Sequence, residues 1–301
     1  MYEQWIIALL VAPLVIAFES FALRGTKNRT VCTAFHITGL ILMLFFSVQV
    51  ISGVLEKGSI SAFNNWVYVD SLSAIFLGLI AVVGSLAGVY SIGYMNTELE
   101  EGHIDFKTYS HYHGFLHLFF FTMIVSVITN NLILMWVAIE ATTLSSAFLV
   151  GTYKQKTSLE AAWKYIIICS VGVAFGLYGT LLTFANANGA LADSSQAIFW
   201  SAVNQQATGL NPMLMYIAFA FVLIGFGTKC GLFPMHTWLS DAHSEAPSPV
   251  SAILSAVLLN CAMLVVLRYY TLVSKAVGAE FPQTLMSVSY THLTLPTICS
   301  V

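Results

Sequence analysis

Charged residues are scarce in this sequence. Only 8% of its 301 residues are Asp, Glu, Lys or Arg, whereas hydrophobic residues make up 58%. Soluble domains carry roughly a quarter charged residues, so a water-facing surface cannot be built from this composition. The composition excludes a soluble protein and indicates one that lies in the lipid bilayer. We expect no nucleic-acid partner.

The sequence also lacks the spaced ligands of a metal or redox centre. Its five cysteines are scattered without CxxC or CxxH spacing, which is typical of small packing residues rather than of iron–sulfur or zinc ligands. No GxGxxG, Walker, GxSxG or CxxCH motif is present. We therefore expect no cofactor and no metal on this chain. The cysteines are Cys32, Cys169, Cys230, Cys261 and Cys299.

What the sequence has instead is about eight apolar runs, each near the ~20 residues that cross a bilayer as a helix. The runs are apolar on every face, whereas membrane β-strands would alternate over ~10-residue segments. We predict an all-α, polytopic membrane protein. The predicted spans are Trp5–Leu23, Val31–Leu55, Ser71–Tyr94, Gly114–Thr129, Leu132–Val150, Ala162–Ala185, Pro212–Leu232 and Val250–Leu272, with longer connections at Met95–His113 and Asn186–Asn211.

The basic residues are unevenly divided between the two sets of connections. Because Lys and Arg are retained on the cytoplasmic side, this division predicts that the N-terminus lies outside. One set contains Arg24, Lys27, Arg29, Lys107, Lys154, Lys156 and Lys164, and the other contains Lys57, Arg268 and Lys275. Lys229 belongs to neither set, because it lies inside an apolar span.

Two ionisable residues lie deep in the predicted spans: Glu140 in the fifth and Lys229 in the seventh. Either one at a helix centre costs roughly 2.5–3.5 kcal/mol on insertion scales, so such residues normally face a polar interior and mark an ion pathway. Burial lowers the proton affinity of a lysine and a nearby carboxylate raises it, which suits a proton relay. The alternative is a static ion pair that joins two helices.

After Lys229, Pro234 must interrupt the seventh span, because proline removes a donor and clashes with the preceding turn. His236 follows directly, and an imidazole can both accept and donate a proton near neutral pH. We expect His236 to be the next relay group. Asp241 and His243 lie beyond it and are either relay groups or ordinary helix caps and first-turn charges, since their spacing fits no metal site.

Two further polar side chains interrupt apolar spans. His117, in the fourth span, is either a packing residue or a relay group. Asn260, in the eighth span, is either a helix-packing amide or the lining of a hydrated cavity, and we favour packing.

The final segment, SVSYTHLTLPTICSV from Ser287, departs from the apolar helical pattern and resembles translated adaptor sequence. We therefore expect residues 287–301 to be non-native. The alternative is a short interfacial tail.

Three segments resemble a known family: NNLILMWVAIEATTLSSAFLVG, SLEAAWKYIIICSVGVAFG and FGTKCGLFPMHTWLSDAHSEAPSPVSAILSAVLLN. They are similar to the antiporter-like membrane subunits of complex I, multisubunit Na+/H+ antiporters and membrane-bound hydrogenases, with the hydrogenase branch most similar. The resemblance implies that Glu140 and Lys229 are the paired groups of a proton half-channel and that His236 occupies the family's histidine position. Many members have a second lysine where this chain has Asn260.

The resemblance also implies inverted repeats of about five helices within about fourteen spans, of which this sequence would be the first half. On that basis we divide the chain into N-terminal helices at 1–113, a first repeat at 114–275 and the tail at 287–301. The implied function is proton translocation in a membrane-bound hydrogenase or formate hydrogenlyase complex in a bacterial or archaeal inner membrane. Nickel–iron and iron–sulfur centres would lie on partner subunits. The alternatives are a cation/H+ antiporter subunit and a structural membrane anchor.

Overall fold

The computed structural model describes residues 2–25, 28–278 and 281. The first half of the chain contains α1 (Tyr2–Ala22), α2 (Arg29–Lys57), β1 (Ser59–Ala62), β2 (Val67–Asp70), α3 (Ser71–Glu100), α4 (Phe106–Ile128) and α5 (Leu132–Val150). The second half contains α6 (Lys156–Ala190), the short α7 (Trp200–Gln205), α8 (Pro212–Lys229), α9 (Thr237–Glu245), α10 (Ser248–Ile253) and α11 (Leu259–Val277). Residues 287–301, where we predict a non-native tail, lie outside the described residues.

The prediction of eight spans is confirmed. Among the described residues, eight helices are long and apolar enough to cross a membrane, and α10 and α11 together form the eighth. The predicted long connection Met95–His113 is wrong, because α3 runs to Glu100 and α4 begins at Phe106. The side chain of Asp105 accepts a hydrogen bond from the Thr108 amide at 2.9 Å, which caps α4 in the polar segment before the apolar run.

A β-hairpin between α2 and α3 was not predicted. β1 and β2 pair antiparallel, with Ser59 opposite Asp70. Phe63, Asn64 and Asn65 form the turn with positive φ angles of 53°, 51° and 68°, a conformation that Asn adopts more readily than most residues. The Asn130 amide donates to the Trp66 carbonyl at 2.9 Å. The hairpin is thereby joined to the α4–α5 connection.

The contact between α6 and α8 is unusually close. A Cβ atom added to Gly225 would lie 2.2 Å from the Gly176 amide nitrogen, so only glycine permits this approach of the two backbones. In a bilayer no hydrophobic driving force brings helices together, so they associate through close packing. Small residues at the crossing permit that packing. The crossing holds the last turn of α8, with Lys229 at its end, against α6.

The eighth span contains a π-helical turn at Leu254–Leu258, between α10 and α11. α10 packs mainly against α3, whereas α11 packs mainly against α8 and contacts α3 through Arg268. Such wide turns are rare in helices. The turn lies where the main neighbour of the span changes from α3 to α8.

Arg268 does not lie in an exposed connection as the charge division assumed. It is on α11, is 1% exposed and donates to the Asp70 carboxylate at 3.1 Å and the Ser73 hydroxyl at 2.7 Å. A guanidinium can be buried when a carboxylate and further acceptors satisfy it. The set assigned to the outside then retains only Lys57 and Lys275, while Lys27 of the other set lies outside the described residues.

Candidate functional site

Glu140 lies near the middle of α5, where the sequence predicted an intramembrane charge. The Ser170 hydroxyl, on α6, donates to its Oε1 atom at 2.5 Å. Its Oε2 atom is buried without a hydrogen-bond partner. Because a carboxylate oxygen is strongly stabilised by hydrogen bonds, this carboxyl group is only partly satisfied in its present position.

Lys229 is the last residue of α8 and is completely buried. Its ammonium group donates to the Thr143 hydroxyl at 2.9 Å and to the Tyr165 hydroxyl. The Nζ atom also lies 4.4 Å from the centroid of the Tyr165 ring and 5.7 Å from that of Trp238. Within the described part of the chain, no carboxylate forms an ion pair with Lys229. Glu140 acts on it only at longer range.

Tyr165, on α6, connects Lys229 to the polar face of α5. Its hydroxyl lies 2.7 Å from the Ser146 hydroxyl, which in turn donates to the Thr142 carbonyl at 2.5 Å. Sequence reasoning missed Tyr165. The available signal was a tyrosine inside an apolar run, where the buried hydroxyl requires a partner.

The interruption after Lys229 brings a tryptophan over the lysine rather than the predicted histidine. The chain turns at Cys230–His236 and resumes as α9, and Trp238 is 1% exposed with its indole N–H donating to the Thr228 carbonyl at 3.0 Å. His236 is exposed, and its ring packs against Phe233 at 5.7 Å between centroids. No hydrogen bond joins His236 and Lys229 among the described residues.

Asp241 and His243 lie on α9, away from the buried lysine. The Asp241 carboxylate accepts from Lys164 at 3.1 Å, and His243 Nδ1 lies 2.8 Å from the Ser251 hydroxyl. Burial lowers the pKa of His243 below its ordinary value. A surface cavity of about 170 Å³ next to Asp241 is lined also by Glu160 and Glu245. Asp241 therefore belongs to a cluster of charged surface side chains, whereas His243 contacts a serine.

Asn260 and His117 have different surroundings from each other. The Asn260 side chain donates to the Ala256 carbonyl of its own helix at 2.7 Å, so it satisfies a backbone acceptor of the π-helical turn.

His117 is not a lone histidine, because its Nε2 atom lies 2.9 Å from Nδ1 of His36 and His113 packs beside them. The sequence signal for this cluster was the HxxxH spacing of His113 and His117 on one helix face. His36 had no such signal.

Among the described residues, no three His, Cys, Asp or Glu side chains are arranged as ligands of one metal ion. Cys32, Cys169, Cys230 and Cys261 are buried and free.

The chain matches two protein families. Residues 129–300 match the family described as NADH:quinone oxidoreductase/Mrp antiporter, TM. Residues 61–104 match the family described as NADH-Ubiquinone oxidoreductase (complex I), chain 5 N-terminus. The first match contains Glu140, Lys229 and the interruption between α8 and α9.

Two kinds of curated relative are similar to the chain. The Hydrogenase-4 component F homolog of Methylacidiphilum infernorum is 41% identical over 206 residues, which are 68% of this chain and 43% of the relative. The Na(+)/H(+) antiporter subunit A1 of Staphylococcus aureus is 28% identical over 260 residues, which are 82% of this chain and 30% of the relative. The chain thus spans less than half the length of these relatives.

Two solved structures share the fold. A chain of the membrane-bound sulfane sulfur reductase, an archaeal respiratory membrane complex, superposes with a TM-score of 0.75 at 20% identity, covering 89% of this chain and 53% of that one. A chain of respiratory complex I from Thermus thermophilus superposes with a TM-score of 0.63 at 23% identity, covering 86% and 52%. The resemblance found in the sequence is confirmed, and the chain belongs to the NADH:quinone oxidoreductase/Mrp antiporter family of membrane proteins.

Proposed function

We propose that this chain translocates protons as a membrane subunit of a membrane-bound hydrogenase or formate hydrogenlyase complex, with Glu140 and Lys229 in the relay. The observation that carries the proposal is the completely buried Lys229, which has hydroxyl partners and, among the described residues, no carboxylate within ion-pair distance. The similarity to a hydrogenase-4 component F homolog supports the hydrogenase branch over the others.

The hydroxyl groups around Lys229 suit two protonation states. When the lysine is charged, its N–H groups donate to Thr143 and Tyr165. When it is neutral, its lone pair accepts from one of the same hydroxyls, because a hydroxyl both donates and accepts. Neither state leaves a charged partner unpaired in the bilayer, so the cost of removing the proton is lower than beside a fixed carboxylate.

Glu140 supplies the negative charge that shifts the equilibrium between charged and neutral Lys229. It is held on one oxygen by Ser170, and its other oxygen has no partner. A carboxylate that approaches Lys229 favours the charged lysine, and one that withdraws favours proton release. Electron transfer would reach this pair as a change of electric field from partner subunits carrying nickel–iron and iron–sulfur centres. We place the complex in the bacterial or archaeal inner membrane, with the N-terminus of this chain outside.

The test is proton accumulation by the whole complex in proteoliposomes, measured together with its hydrogenase activity. In Lys229→Ala we expect hydrogen turnover to continue and proton accumulation to stop. Lys275→Ala is the matched control, because Lys275 is exposed and its ammonium group donates to Asn204. Normal proton accumulation in Lys229→Ala would refute the proposal.

A cation/H+ antiporter subunit is the second candidate, favoured by the similarity to the Staphylococcus aureus antiporter subunit. Sodium needs several oxygen ligands, and α5 offers four hydroxyls near Glu140. All four donate to carbonyl groups of their own helix, which such hydroxyls commonly do, and their oxygen lone pairs stay available, so these hydroxyls favour neither candidate. These residues are Thr142, Thr143, Ser145 and Ser146. Dependence of transport on sodium would favour this candidate.

A structural membrane anchor predicts that Glu140 and Lys229 form a static pair. The double variant Glu140→Lys with Lys229→Glu would then assemble and support proton accumulation. In a relay the exchanged groups have the wrong proton affinities for their positions, so we expect assembly without accumulation. The two outcomes separate the candidates.

A further inference from the structure

A hydrophobic groove lies on the outer side of α5 and α6, at the end of the bundle where these two helices are joined. Its volume is about 270 Å³, and every described residue in its lining is uncharged. Phe148 of α5 and Trp163 of α6 line it, and their side chains are 61% and 63% exposed. The groove follows α5 from residue 144 to residue 151, a distance of about 10 Å at the rise of an α-helix. We call this cavity the α5–α6 groove.

A second cavity adjoins the groove at the turn between α5 and α6. Its volume is about 210 Å³, and it shares Phe148, Gly151 and Leu159 with the α5–α6 groove. Lys154 and His111 also line it, so it is more polar than the groove. We call this second cavity the mouth. The two cavities together form an apolar groove with a polar mouth.

The mouth is positively charged. Lys154 lines it, and Arg24 and Lys107 lie close enough to act electrostatically, together with Lys154, on the His111 imidazole. All three cations are exposed. Asp105 is the carboxylate that acts on the same imidazole, and its side chain already caps α4. Positive charge therefore exceeds negative charge around the mouth.

The cations around the mouth retain hydrogen-bond donors for an anion. None of the three forms an ion pair with the described residues. The Lys154 ammonium group donates to the Thr108 hydroxyl at 2.7 Å, which uses one of its three N–H groups. Lys164, at the same end of α6, is instead satisfied by the protein, because it pairs with Glu160 at 2.9 Å and with Asp241 at 3.1 Å.

This combination of cavities fits a lipid with a negatively charged headgroup. The apolar groove accommodates a hydrocarbon chain, and the mouth attracts an anion. Basic pockets between membrane helices on the cytoplasmic side bind anionic lipid headgroups, and the division of basic residues predicts that this end of the bundle is cytoplasmic. A zwitterionic headgroup carries its own cation, which the mouth would repel.

A second apolar cavity of the described chain provides the contrast. The cavity beside Pro234 has a volume of about 530 Å³, so it is larger than the α5–α6 groove. Its described lining contains no charged side chain. It therefore has no group that distinguishes one headgroup from another, whereas the α5–α6 groove has the mouth.

We propose that the α5–α6 groove binds an acyl chain of an anionic phospholipid and that Lys154 binds the phosphate group of that lipid at the mouth. Lys107 and Arg24 contribute further positive charge. The site uses neither Glu140 nor Lys229, so it stands or falls separately from the function proposed above.

The test compares binding of phosphatidylglycerol and phosphatidylcholine, with identical acyl chains, to the full chain in detergent micelles by native mass spectrometry. We expect phosphatidylglycerol to bind at least about tenfold more tightly. Each basic residue near an anionic lipid contributes about fivefold to binding, so the double variant Lys107→Gln with Lys154→Gln should weaken phosphatidylglycerol binding by about 25-fold. Phosphatidylcholine binding should not change. Glutamine at position 154 keeps an N–H donor for Thr108.

The matched control is the double variant Lys57→Gln with Lys275→Gln. It removes the same charge from two exposed lysines at the opposite end of the bundle, where α2 and α11 end. A phosphatidylglycerol with a photoreactive acyl chain then locates the bound lipid. We expect it to label residues 144–151 and 159–166, both in the isolated chain and in cell membranes.

Each outcome decides the proposal. A preference for phosphatidylglycerol that is lost in the mouth variant and kept in the control, with label in the groove, supports it. Equal binding of the two lipids by the unaltered chain overturns it, and so does an equal loss in both double variants, because net charge would then be the cause.

Two further outcomes assign the groove or the mouth to another occupant. Label that reaches the groove in the isolated chain but not in cell membranes would show that a protein partner covers the groove, which overturns the proposal. Displacement of phosphatidylglycerol by glycerol phosphate, which has the phosphate group without acyl chains, would also overturn it, because the mouth would then bind a soluble phosphate.

Discussion

Arg268 and Lys229 are both buried basic side chains, yet their partners differ in kind. Arg268 contacts both oxygens of Asp70 at 3.1 and 3.4 Å, donates to Ser73 at 2.7 Å, and lies 4.3 Å from the centroid of the Trp200 ring. In the part of the chain that the structure describes, Lys229 contacts hydroxyl and aromatic groups and forms no ion pair. Arg268 is thus paired with a carboxylate there, whereas Lys229 is not.

This difference separates a structural ion pair from a titratable site. A guanidinium is charged at every accessible pH, so burying it requires a permanent carboxylate. A lysine can lose its proton. Hydroxyls both donate and accept, so they can form hydrogen bonds with the charged and with the neutral lysine. Three substitutions around these groups test this contrast, and a fourth at His243 tests titration outside the membrane spans.

Asp70→Asn should be the most damaging change, because it leaves the buried Arg268 guanidinium unpaired. The amide keeps an oxygen for the N-cap of α3. We expect the free energy of unfolding to fall by about 3–5 kcal/mol, measured by equilibrium unfolding in mixed detergent micelles.

The control for Asp70→Asn is the double variant Asp70→Asn with Arg268→Met, which removes the unpaired charge. It should recover most of the lost stability. Equal damage in the single and double variants would show that the charge is not the cause.

Tyr165→Phe should have the next largest effect. It removes the hydroxyl that joins Lys229 to Ser146 while keeping the ring that packs on Trp238. We expect a loss of about 1–3 kcal/mol, because a buried polar group is left with one partner fewer. The same unfolding assay measures it, with Tyr178→Phe, an exposed tyrosine on the same helix, as the control.

Lys229→Met should change the free energy of unfolding by less than about 1 kcal/mol, because it removes the desolvation cost of a buried ammonium together with its hydrogen bonds. The expected loss is therefore much smaller than that of Asp70→Asn. A loss comparable to that of Asp70→Asn would mean that Lys229 is a structural group like Arg268.

His243 provides the smallest effect and a test by pH. Burial lowers its pKa in the folded protein, so the unfolded chain takes up a proton first as pH falls. Stability is therefore complete above the ordinary histidine pKa of about 6.5 and declines as pH falls below it. His243→Gln should remove this decline, which we expect to be less than about 1 kcal/mol because the residue is partly exposed. An unchanged pH profile would assign the decline to other groups.

The sequence was sufficient for the spans and for two of the residues that carry charge within them, Glu140 and Lys229. Apolar runs identify membrane helices because the bilayer sets both their length and their composition. Glu140 and Lys229 were recognisable because a charge stands out within such a run. The hairpin has a weaker signal in the sequence, the Asn64–Asn65 pair between two short alternating segments.

Contacts between distant segments could not be read in the same way. Arg268 and Asp70 are 198 positions apart, and Asp70 alone resembles an ordinary helix cap. His36 contacts His117 across 81 positions. The position of Trp238 over Lys229 depends on how the chain turns between α8 and α9. A proline predicts that the helix breaks there, but it does not determine the direction in which the chain continues.

The π-helical turn at Leu254–Leu258 acts as a phase shift in the eighth span. Each residue of an α-helix advances the side-chain direction by about 100°, so one extra residue per turn rotates everything after it by that amount. Deleting one residue here would rotate α11 relative to α10 and turn Arg268 away from Asp70, although Arg268 itself would be unchanged. The length of this span is therefore as strictly specified as the identity of Arg268.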